Sequence, residues 1–256
     1  MVRLPRRLGH GEEATLGEHL EELRGRLMVM IGAVVVAAIV AYVFHDHVID
    51  WLNKPLPDGT RVTTLGVAEP FTITIMICIY AGIVAALPIV LWQVWSFFAP
   101  AVDARLERKV LLLVACSVVL GVVGVWFGYE ILLPRAIHFL TNYDTAHFDN
   151  LVQAKPYYNF VVAILLGIVV IFQTPLAILG LVAIGVLSSR TLRKQRRLGY
   201  FITAAVALAL PGPDLVTTFL ELMPMWLLFE GSIWAAYLFE RRRERKIASS
   251  SATLGA

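Results

Sequence analysis

The chain has 256 residues, of which 58% are hydrophobic and only 16% are charged, with a formal net charge of +3. This composition is too apolar for a water-soluble domain and is typical of a polytopic membrane protein. It leaves no room for a separate globular domain, so we expect one integral membrane unit.

Asp, Glu, Lys and Arg are absent from five long stretches, and a sixth is almost free of them. The five stretches are 27–44, 70–102, 110–129, 156–189 and 198–213; the sixth, 215–239, contains only Glu221 and Glu230. A helix needs about 20 apolar residues to cross a hydrocarbon core about 30 Å thick, and only helices satisfy their own backbone groups there without closing into a barrel. We predict an all-α integral membrane protein with six transmembrane helices. The last two are predicted to be short, because 198–210 and 223–239 barely span the core.

Lys and Arg divide unevenly between the segments that join these stretches. When the segments alternate between the two sides of the membrane, 18 of the 22 fall on one side and 4 on the other. Cytoplasmic loops carry the excess of Lys and Arg in membrane proteins. This distribution predicts that both termini lie in the cytoplasm.

The predicted organisation has three parts. Residues 1–26 form a cytoplasmic N-terminal segment with an amphipathic helix, in which leucines recur every three or four residues. Residues 27–240 form the six-helix transmembrane domain. Residues 241–256 form a basic cytoplasmic tail that we expect to be disordered.

Prolines mark the expected turns and kinks along the chain. Pro55 lies in the first outer loop, 45–69, which turns over the outer surface. Pro88 and Pro175 fall inside apolar stretches and predict kinked helices. The third crossing is expected to end near Pro134.

Several kinds of chemistry have no motif in this sequence. There is no Gly-x-x-x-x-Gly-Lys-Ser/Thr phosphate loop and no His-Glu-x-x-His metal motif. A Gly-x-Ser-x-Gly nucleophile elbow is also missing. The protein is therefore expected to bind and conduct rather than to catalyse, with no cofactor, no metal and no nucleic-acid partner.

An acidic cluster precedes the first crossing. Its members are Glu12, Glu13, Glu18, Glu21 and Glu22. A carboxylate accepts a guanidinium through two parallel charge-assisted hydrogen bonds, so this cluster can receive arginine. The alternative is a solvated helix face on which Glu22 and Arg26 form an i,i+4 pair.

A second candidate site lies in the cytoplasmic loop that follows the second crossing. Phe97 and Phe98 precede Pro100, and Glu107 follows in the same loop. The aromatic rings can dock an apolar segment, or they can serve as interfacial anchors. Glu107 can contact a ligand, or it can pair with a neighbouring arginine.

Polar groups inside or near the bilayer form a third candidate set. They are Gln93, Glu130, Gln173, Asp214, Glu221 and Glu230. Ionisable groups at this depth are costly and mark function by default. Gln173 can satisfy backbone groups freed by the Pro175 kink or bond a partner helix. Asp214 can cap the last helix, and Glu230 needs a partner or contributes a polar contact to a translocation path.

The chain resembles the TatC family, the six-crossing subunit of twin-arginine protein translocases, from about residue 16 to 240. The matching motifs are His19-Leu20-x-Glu22-Leu23-Arg24-x-Arg26-Leu27, Glu69-Pro70-Phe71, Pro88 with Gln93-Val94-Trp95-x-Phe97-x-Ala99-Pro100, Phe172-Gln173-x-Pro175, Pro213-Asp214, and Pro224-Met225 with Phe229-Glu230. Two features depart from the family. The loop before Glu107 is one residue longer, and Gln173 stands where Glu is common, which leaves hydrogen bonding rather than proton coupling as its expected role.

The resemblance implies a receptor in the plasma or inner membrane for folded precursors with Arg-Arg signal peptides. The acidic contacts would be Glu22 and Glu107, with Glu21, Arg24 and Phe97 beside them. Pro55, Pro88, Pro100, Asp214 and Glu230 would support structure or translocation. Expected partners are TatA- and TatB-type single-span subunits, bound near Gln173, together with further copies of the chain and membrane lipid.

The mechanism expected from this resemblance has two stages. The acidic entrance binds the two arginines, and the apolar part of the signal peptide enters a concave groove of the helix bundle. Without a phosphate loop, the energy is expected from the proton-motive force.

Two other functional classes compete with this interpretation. A small-solute transporter would show paired broken helices in the two halves of the chain, and no such repeat is visible. An intramembrane protease would need Ser and His, or paired Asp, at bilayer depth, and the chain lacks them.

Overall fold

The computed structural model describes residues 16–57, 59–98, 104–143, 147, 151–183, 185–210 and 215–254. Over these residues the regular elements are helices, apart from one isolated bridge between Thr63 and Gln153. The helices are α1 Leu16–Val43, α2 His45–Asn53, α3 Glu69–Ala85, α4 Leu87–Phe98, α5 Ala104–Trp126, α6 Leu133–Asn142, α7 Ala154–Phe172, α8 Thr174–Ala183, α9 Ser189–Lys194, α10 Arg196–Ala209 and α11 Leu215–Leu254; a π-helical turn, Phe127–Leu132, joins α5 to α6. The predicted all-α class is confirmed.

Four helical stretches of the described chain are long and apolar enough to cross a membrane. They are His19–Val43, Leu112–Asn142, Ala154–Ala183 and Thr217–Arg242. Helices α3 and α4 pass the same test together, with a bend of 51° between them. Helix α10 has 14 residues, or about 21 Å at a rise of about 1.5 Å per residue, which is too short to pass alone. The structure therefore supports four to five spans, and the sixth crossing remains a prediction.

The last helix is longer than the sequence predicted. Helix α11 has 40 residues and contains Pro224, so the prediction of a short final crossing is wrong. Glu221 and Glu230 interrupt an apolar count but do not interrupt a hydrogen-bonded helix, since Glu is a good helix former. Helices α8, α9 and α10 pack along α11. Residues 241–254, predicted to be disordered, continue this helix.

The prolines act in two different ways. Pro88 follows the break between α3 and α4, where the bend confirms the predicted kink. Likewise, α7 ends and α8 begins at a turn on Gln173, just before Pro175. Pro134 does not end the third crossing, because it occupies the first turn of α6, where a missing N–H costs little. The π-helical turn before it lets the helix continue.

The chain divides into two compact units, one ending at Val169 and the other beginning at Val170. In the first unit α1 packs against α3 at a glycine. A Cβ added at Gly82 would lie 2.7 Å from the Ala38 nitrogen and 2.9 Å from its Cβ. Small residues allow transmembrane helix backbones to approach this closely. Gly82 therefore sets the distance between these two helices.

Three tyrosines of the first unit hold the end of α2. The Tyr129 and Tyr157 hydroxyls each donate to a backbone carbonyl, of Trp51 and Leu52 respectively, at 2.6 Å. The Tyr158 hydroxyl donates to the Asn53 side chain at 2.8 Å. The Tyr157 bond satisfies the Leu52 carbonyl at this helix end, and the Tyr129 bond gives a second donor to the Trp51 carbonyl, which also accepts from the Lys54 N–H. They fix the turn that carries Pro55, whose side chain is half-buried.

The second unit has its own small core on α11. Ile178, Phe229 and Ile233 form it, and Leu192 and Tyr200 pack against it. A Cβ at Gly199 would overlap the Phe229 ring, so α10 approaches α11 without a side chain between them.

Candidate functional site

The best-defined polar cluster of the first unit joins α1 to α4. On α1, His19, Glu22 and Arg26 are spaced three and four residues apart, so they share one face of the helix. On α4, Gln93 and Phe97 lie four residues apart and face them. The cluster brings together two predicted site residues, Glu22 and Phe97, from distant parts of the sequence.

Glu22 and Arg26 form the centre of this cluster. The Nε and Nη2 groups of Arg26 donate to the same oxygen, Oε1 of Glu22, at 3.0 and 2.6 Å. The Nη1 group of Arg26 donates to Oε1 of Gln93 at 3.3 Å. Arg26 is thus held by a carboxylate on its own helix and by an amide on α4.

His19 covers the other side of the Glu22 carboxylate. Its Nδ1 lies 4.0 Å from Glu22 Oε2, and its ring stacks on Phe97 with centroids 4.5 Å apart and planes 23° apart. Phe97 therefore contacts the acidic site through His19. This arrangement leaves Oε2 of Glu22 facing a ring that is charged only when protonated.

The ion pair is largely removed from solvent. The side chain of Glu22 is 12% exposed and that of Arg26 is 15% exposed. The i,i+4 pair predicted from the spacing forms, but it does not lie on a solvated helix face. Glu21 and Arg24 point to the exposed side of α1. They lie one residue before and two residues after Glu22.

Helix α4 is itself tied to α5. The indole Nε1 of Trp95 donates to Oγ of Ser117 at 3.1 Å, and Ser117 is fully buried. Glu107 lies in the first turn of α5, but its side chain lies outside the described residues, as does Pro100. The structure therefore positions the start of α5 without testing the predicted contact at Glu107.

The other predicted positions lie apart from this cluster. Pro55 follows α2, at the far end of α1 from Glu22, and Pro88 lies at the bend between α3 and α4. In the second unit, Gln173 occupies the turn between α7 and α8, where its carbonyl accepts from the backbone N–H groups of Leu176 and Ala177 at 3.1 and 3.0 Å. Asp214 lies outside the described residues.

Glu230 is paired within the second unit. Its Oε2 lies 3.2 Å from Nη2 of Arg196, and its Oε1 accepts a hydrogen bond from the Tyr200 hydroxyl. The Tyr200 ring packs edge-on against Trp226 and Phe229. The predicted partner of Glu230 is therefore an arginine at the start of α10, which neutralises the carboxylate.

Sequence reasoning missed a second carboxylate of this unit. Glu240 accepts from the backbone N–H of Ser189, at 3.1 and 3.2 Å, and from its hydroxyl. The guanidinium of Arg193 lies 4.6 Å from the centroid of the Tyr237 ring. The only local signal is the Ser188-Ser189 pair, because serine is a favoured helix N-cap. Glu240, which binds Ser189, is 51 residues away in the sequence.

A cavity of about 480 Å³ lies in the first unit beside the bend between α3 and α4. Its lining is mostly apolar and includes Leu87, Val118 and Val122, with Glu130 as its carboxylate. The stacked rings of Trp51 and Tyr129 form another part of its wall. A recess of this size and character suits apolar side chains rather than a polar substrate.

Comparison with known proteins identifies the family. Residues 18–224 match the family model described as Sec-independent protein translocase protein (TatC). The Sec-independent protein translocase protein TatCd of Bacillus subtilis (strain 168) is 33% identical over 242 residues, covering 94% of this chain and 99% of that protein. The TatC protein of Escherichia coli (strain K12) is 31% identical over 233 residues, covering 89% and 90% respectively.

The fold agrees with this assignment. A crystal structure described as the twin-arginine translocase receptor TatC matches with a TM-score of 0.76 and 29% sequence identity, covering 86% of this chain and 98% of that chain. A second crystal structure of that receptor, in the detergent DDM, matches with a TM-score of 0.77. The chain belongs to the TatC family of Sec-independent protein translocase proteins.

Proposed function

We propose that this chain is the receptor and core subunit of a twin-arginine translocase, which binds the Arg-Arg signal peptides of folded precursor proteins. The observation that carries the proposal is the Glu22 carboxylate, which holds a guanidinium between α1 and α4. Arg26 occupies it in the structure, which supports the view that the site has the geometry and charge for arginine. Membership of the TatC family supports a role for this chemistry in protein transport.

The chemistry of the site favours arginine over lysine. A guanidinium offers a planar fork of N–H donors, and a carboxylate accepts two of them in parallel. Glu22 is nearly buried, so its hydrogen bonds are little weakened by competing water. Exposed Glu21 adds negative charge at the surface of α1, where it attracts the basic segment before binding.

The second cytoplasmic loop completes the proposed signal-peptide site. Phe97 lies against His19 at the edge of this site. We assign Glu107, at the start of α5, the role of the second carboxylate. We assign Arg24 to the same signal-peptide site and give Pro100 a structural role. The apolar part of the signal peptide then enters a concave groove of the bundle, for which the apolar recess beside Leu87 and Val122 is a candidate.

The remaining assignments concern topology, partners and energy. We place both termini in the cytoplasm and six crossings in the plasma or inner membrane, from the distribution of Lys and Arg. TatA- and TatB-type subunits bind near Gln173, and further copies of the chain associate with it. Pro55, Pro88, Asp214 and Glu230 support the fold during transport. The proton-motive force drives export, at about 2.3 kcal/mol per charge per 100 mV of membrane potential.

Peptide binding tests the receptor assignment directly. Purified chain in lipid nanodiscs is titrated with a fluorescent Arg-Arg signal peptide, for the unmodified chain and for Glu22→Gln and Glu107→Gln. Each variant should weaken binding by at least tenfold, since one charge-assisted contact contributes about 1.5–3 kcal/mol. Asp46→Asn is the matched control, because Asp46 is an exposed acid on α2. Unchanged affinity in the Glu22→Gln variant would remove the receptor assignment, whereas unchanged affinity in Glu107→Gln alone would remove only the role of Glu107.

Partner binding and energy coupling need separate assays. Gln173→Leu should reduce co-purification of a TatB-type subunit while leaving peptide affinity unchanged; full co-purification would refute the partner contact. Export of a folded Arg-Arg reporter should stop when an uncoupler dissipates the proton gradient of membrane vesicles. Export that persists without a gradient would refute the assignment of the energy source.

A further inference from the structure

The Glu22 carboxylate is occupied before any peptide arrives. Arg26 donates two hydrogen bonds to Oε1 of Glu22, and it sits one helical turn further along the same helix. Its third contact, from Nη1 to Gln93, reaches α4. The chain therefore supplies its own arginine to the group that the proposed function assigns to the arginine of a signal peptide.

The geometry does not allow both guanidinium groups to bind Glu22 fully. A fork-like contact uses both carboxylate oxygens, but Oε1 already accepts two donors from Arg26. The other oxygen, Oε2, faces His19 at 4.0 Å. An incoming arginine must displace Arg26 from Oε1 to form two parallel bonds.

We propose that Arg26 is an internal competitor for the signal-peptide site, and that peptide binding is an exchange of one guanidinium for another at Glu22. This inference rests on the proposed receptor function. Exchange gives the nearly buried carboxylate a guanidinium partner in both the resting and the peptide-bound state, so neither of these states has the large cost of an uncompensated buried charge. Gln93 stabilises the resting state because it holds Arg26 from α4.

An internal competitor has a distinctive thermodynamic signature. It lowers the apparent affinity of every ligand of Glu22 by the same factor, since only the fraction of chains with a vacated carboxylate can bind. Removing it should therefore tighten binding without changing selectivity. A purely structural role for Arg26 predicts the opposite, because a misshapen site binds all peptides more weakly or discriminates less between them.

The test measures two peptides against five forms of the full chain in nanodiscs. The peptides are an Arg-Arg signal peptide and its Lys-Lys counterpart; the forms are the unmodified chain, Arg26→Gln, Gln93→Leu, the double variant of these two, and Glu22→Gln. Arg26→Gln should tighten both peptides on the order of tenfold, with their affinity ratio unchanged. Gln93→Leu should tighten both by about threefold and add nothing in the Arg26→Gln background, because the two residues act through one contact.

The following results would overturn the proposal or show which part of it fails. Weaker binding by Arg26→Gln, or an altered Arg-to-Lys ratio, would overturn it. If Arg26→Gln fails to yield a monodisperse protein, Gln93→Leu decides alone, and unchanged or weaker binding by that variant would overturn the exchange. The Glu22→Gln variant distinguishes failure of the receptor assignment from failure of the proposed role of Arg26. If this variant binds the Arg-Arg peptide with unchanged affinity, the receptor assignment itself fails. If it loses binding but Arg26→Gln does not tighten binding, only the competitor role of Arg26 is refuted.

Discussion

The contact between α1 and α3 offers a sharp test of the fold that supports the site. Gly82→Ala adds one methyl group at a point where its Cβ would lie 2.7–2.9 Å from Ala38. Ordinary contact begins at 3.4 Å, so the two helices must separate by several tenths of an ångström. The nearest atoms include the Ala38 backbone, which cannot rotate away as a flexible side chain would.

The expected magnitude follows from two opposing terms. Overpacking a well-packed contact costs about 1–3 kcal/mol, whereas replacing glycine by alanine inside a helix gains about 0.5–1 kcal/mol. The difference between these ranges is about 0–2.5 kcal/mol, so Gly82→Ala should lower the free energy of unfolding by about 1 kcal/mol. Gly32→Ala, on α1, is the matched control, because no atom lies within 4 Å of its added Cβ; only the favourable term applies there.

Thermal unfolding of the purified chain in detergent measures the difference. The midpoint for Gly82→Ala should fall below that of the unmodified chain, and the midpoint for Gly32→Ala should stay equal or rise. Equal midpoints for the two variants would show that α1 and α3 do not approach as closely as the structure places them. Because α1 carries Glu22 and Arg26, a confirmed shift at Gly82 should also weaken peptide binding.

Two further substitutions test other contacts by the same unfolding measurement. Tyr157→Phe should lower the free energy of unfolding by about 1–2 kcal/mol, since the Leu52 carbonyl loses its buried donor; an unchanged midpoint would refute the role of this bond. Gly199→Ala should destabilise the second unit because its Cβ overlaps the Phe229 ring, whereas Gly231→Ala meets nothing within 4 Å and should not; equal behaviour of the two would contradict this packing.

Much of the fold could be predicted because the bilayer imposes simple rules. Apolar length locates helices, and a proline in mid-helix predicts a bend, as Pro88 shows. The prediction that the third crossing ends near Pro134 was wrong because this proline stands in the first turn of α6, and α11 continues through Pro224. The apolar count also gave the last crossing as 223–239, whereas α11 runs from Leu215 to Leu254, because charge reports transfer into lipid rather than helix formation.

The candidate site shows a similar division between local and distant contacts. The Glu22–Arg26 pair follows from spacing alone, because residues four apart are neighbours on a helix. Its burial does not, since Gln93 is 67 residues away in the sequence. The same holds for Glu240 and Ser189, 51 residues apart. Sequence spacing identifies contacts within one helix, but contacts between helices depend on packing that the pattern does not specify.

The two arginine–glutamate pairs differ in a way that bears on function. Glu230 and Arg196 are 29% and 39% exposed, and Glu230 also binds the Tyr200 hydroxyl. If that ion pair breaks, the Glu230 carboxylate still accepts a hydrogen bond from Tyr200 and still contacts solvent. Glu22 has a less exposed side chain, and over the part of the chain that the structure describes its side chain accepts hydrogen bonds from Arg26. Another arginine can therefore substitute for Arg26 at Glu22. Glu230 is better suited to hold α10 on α11.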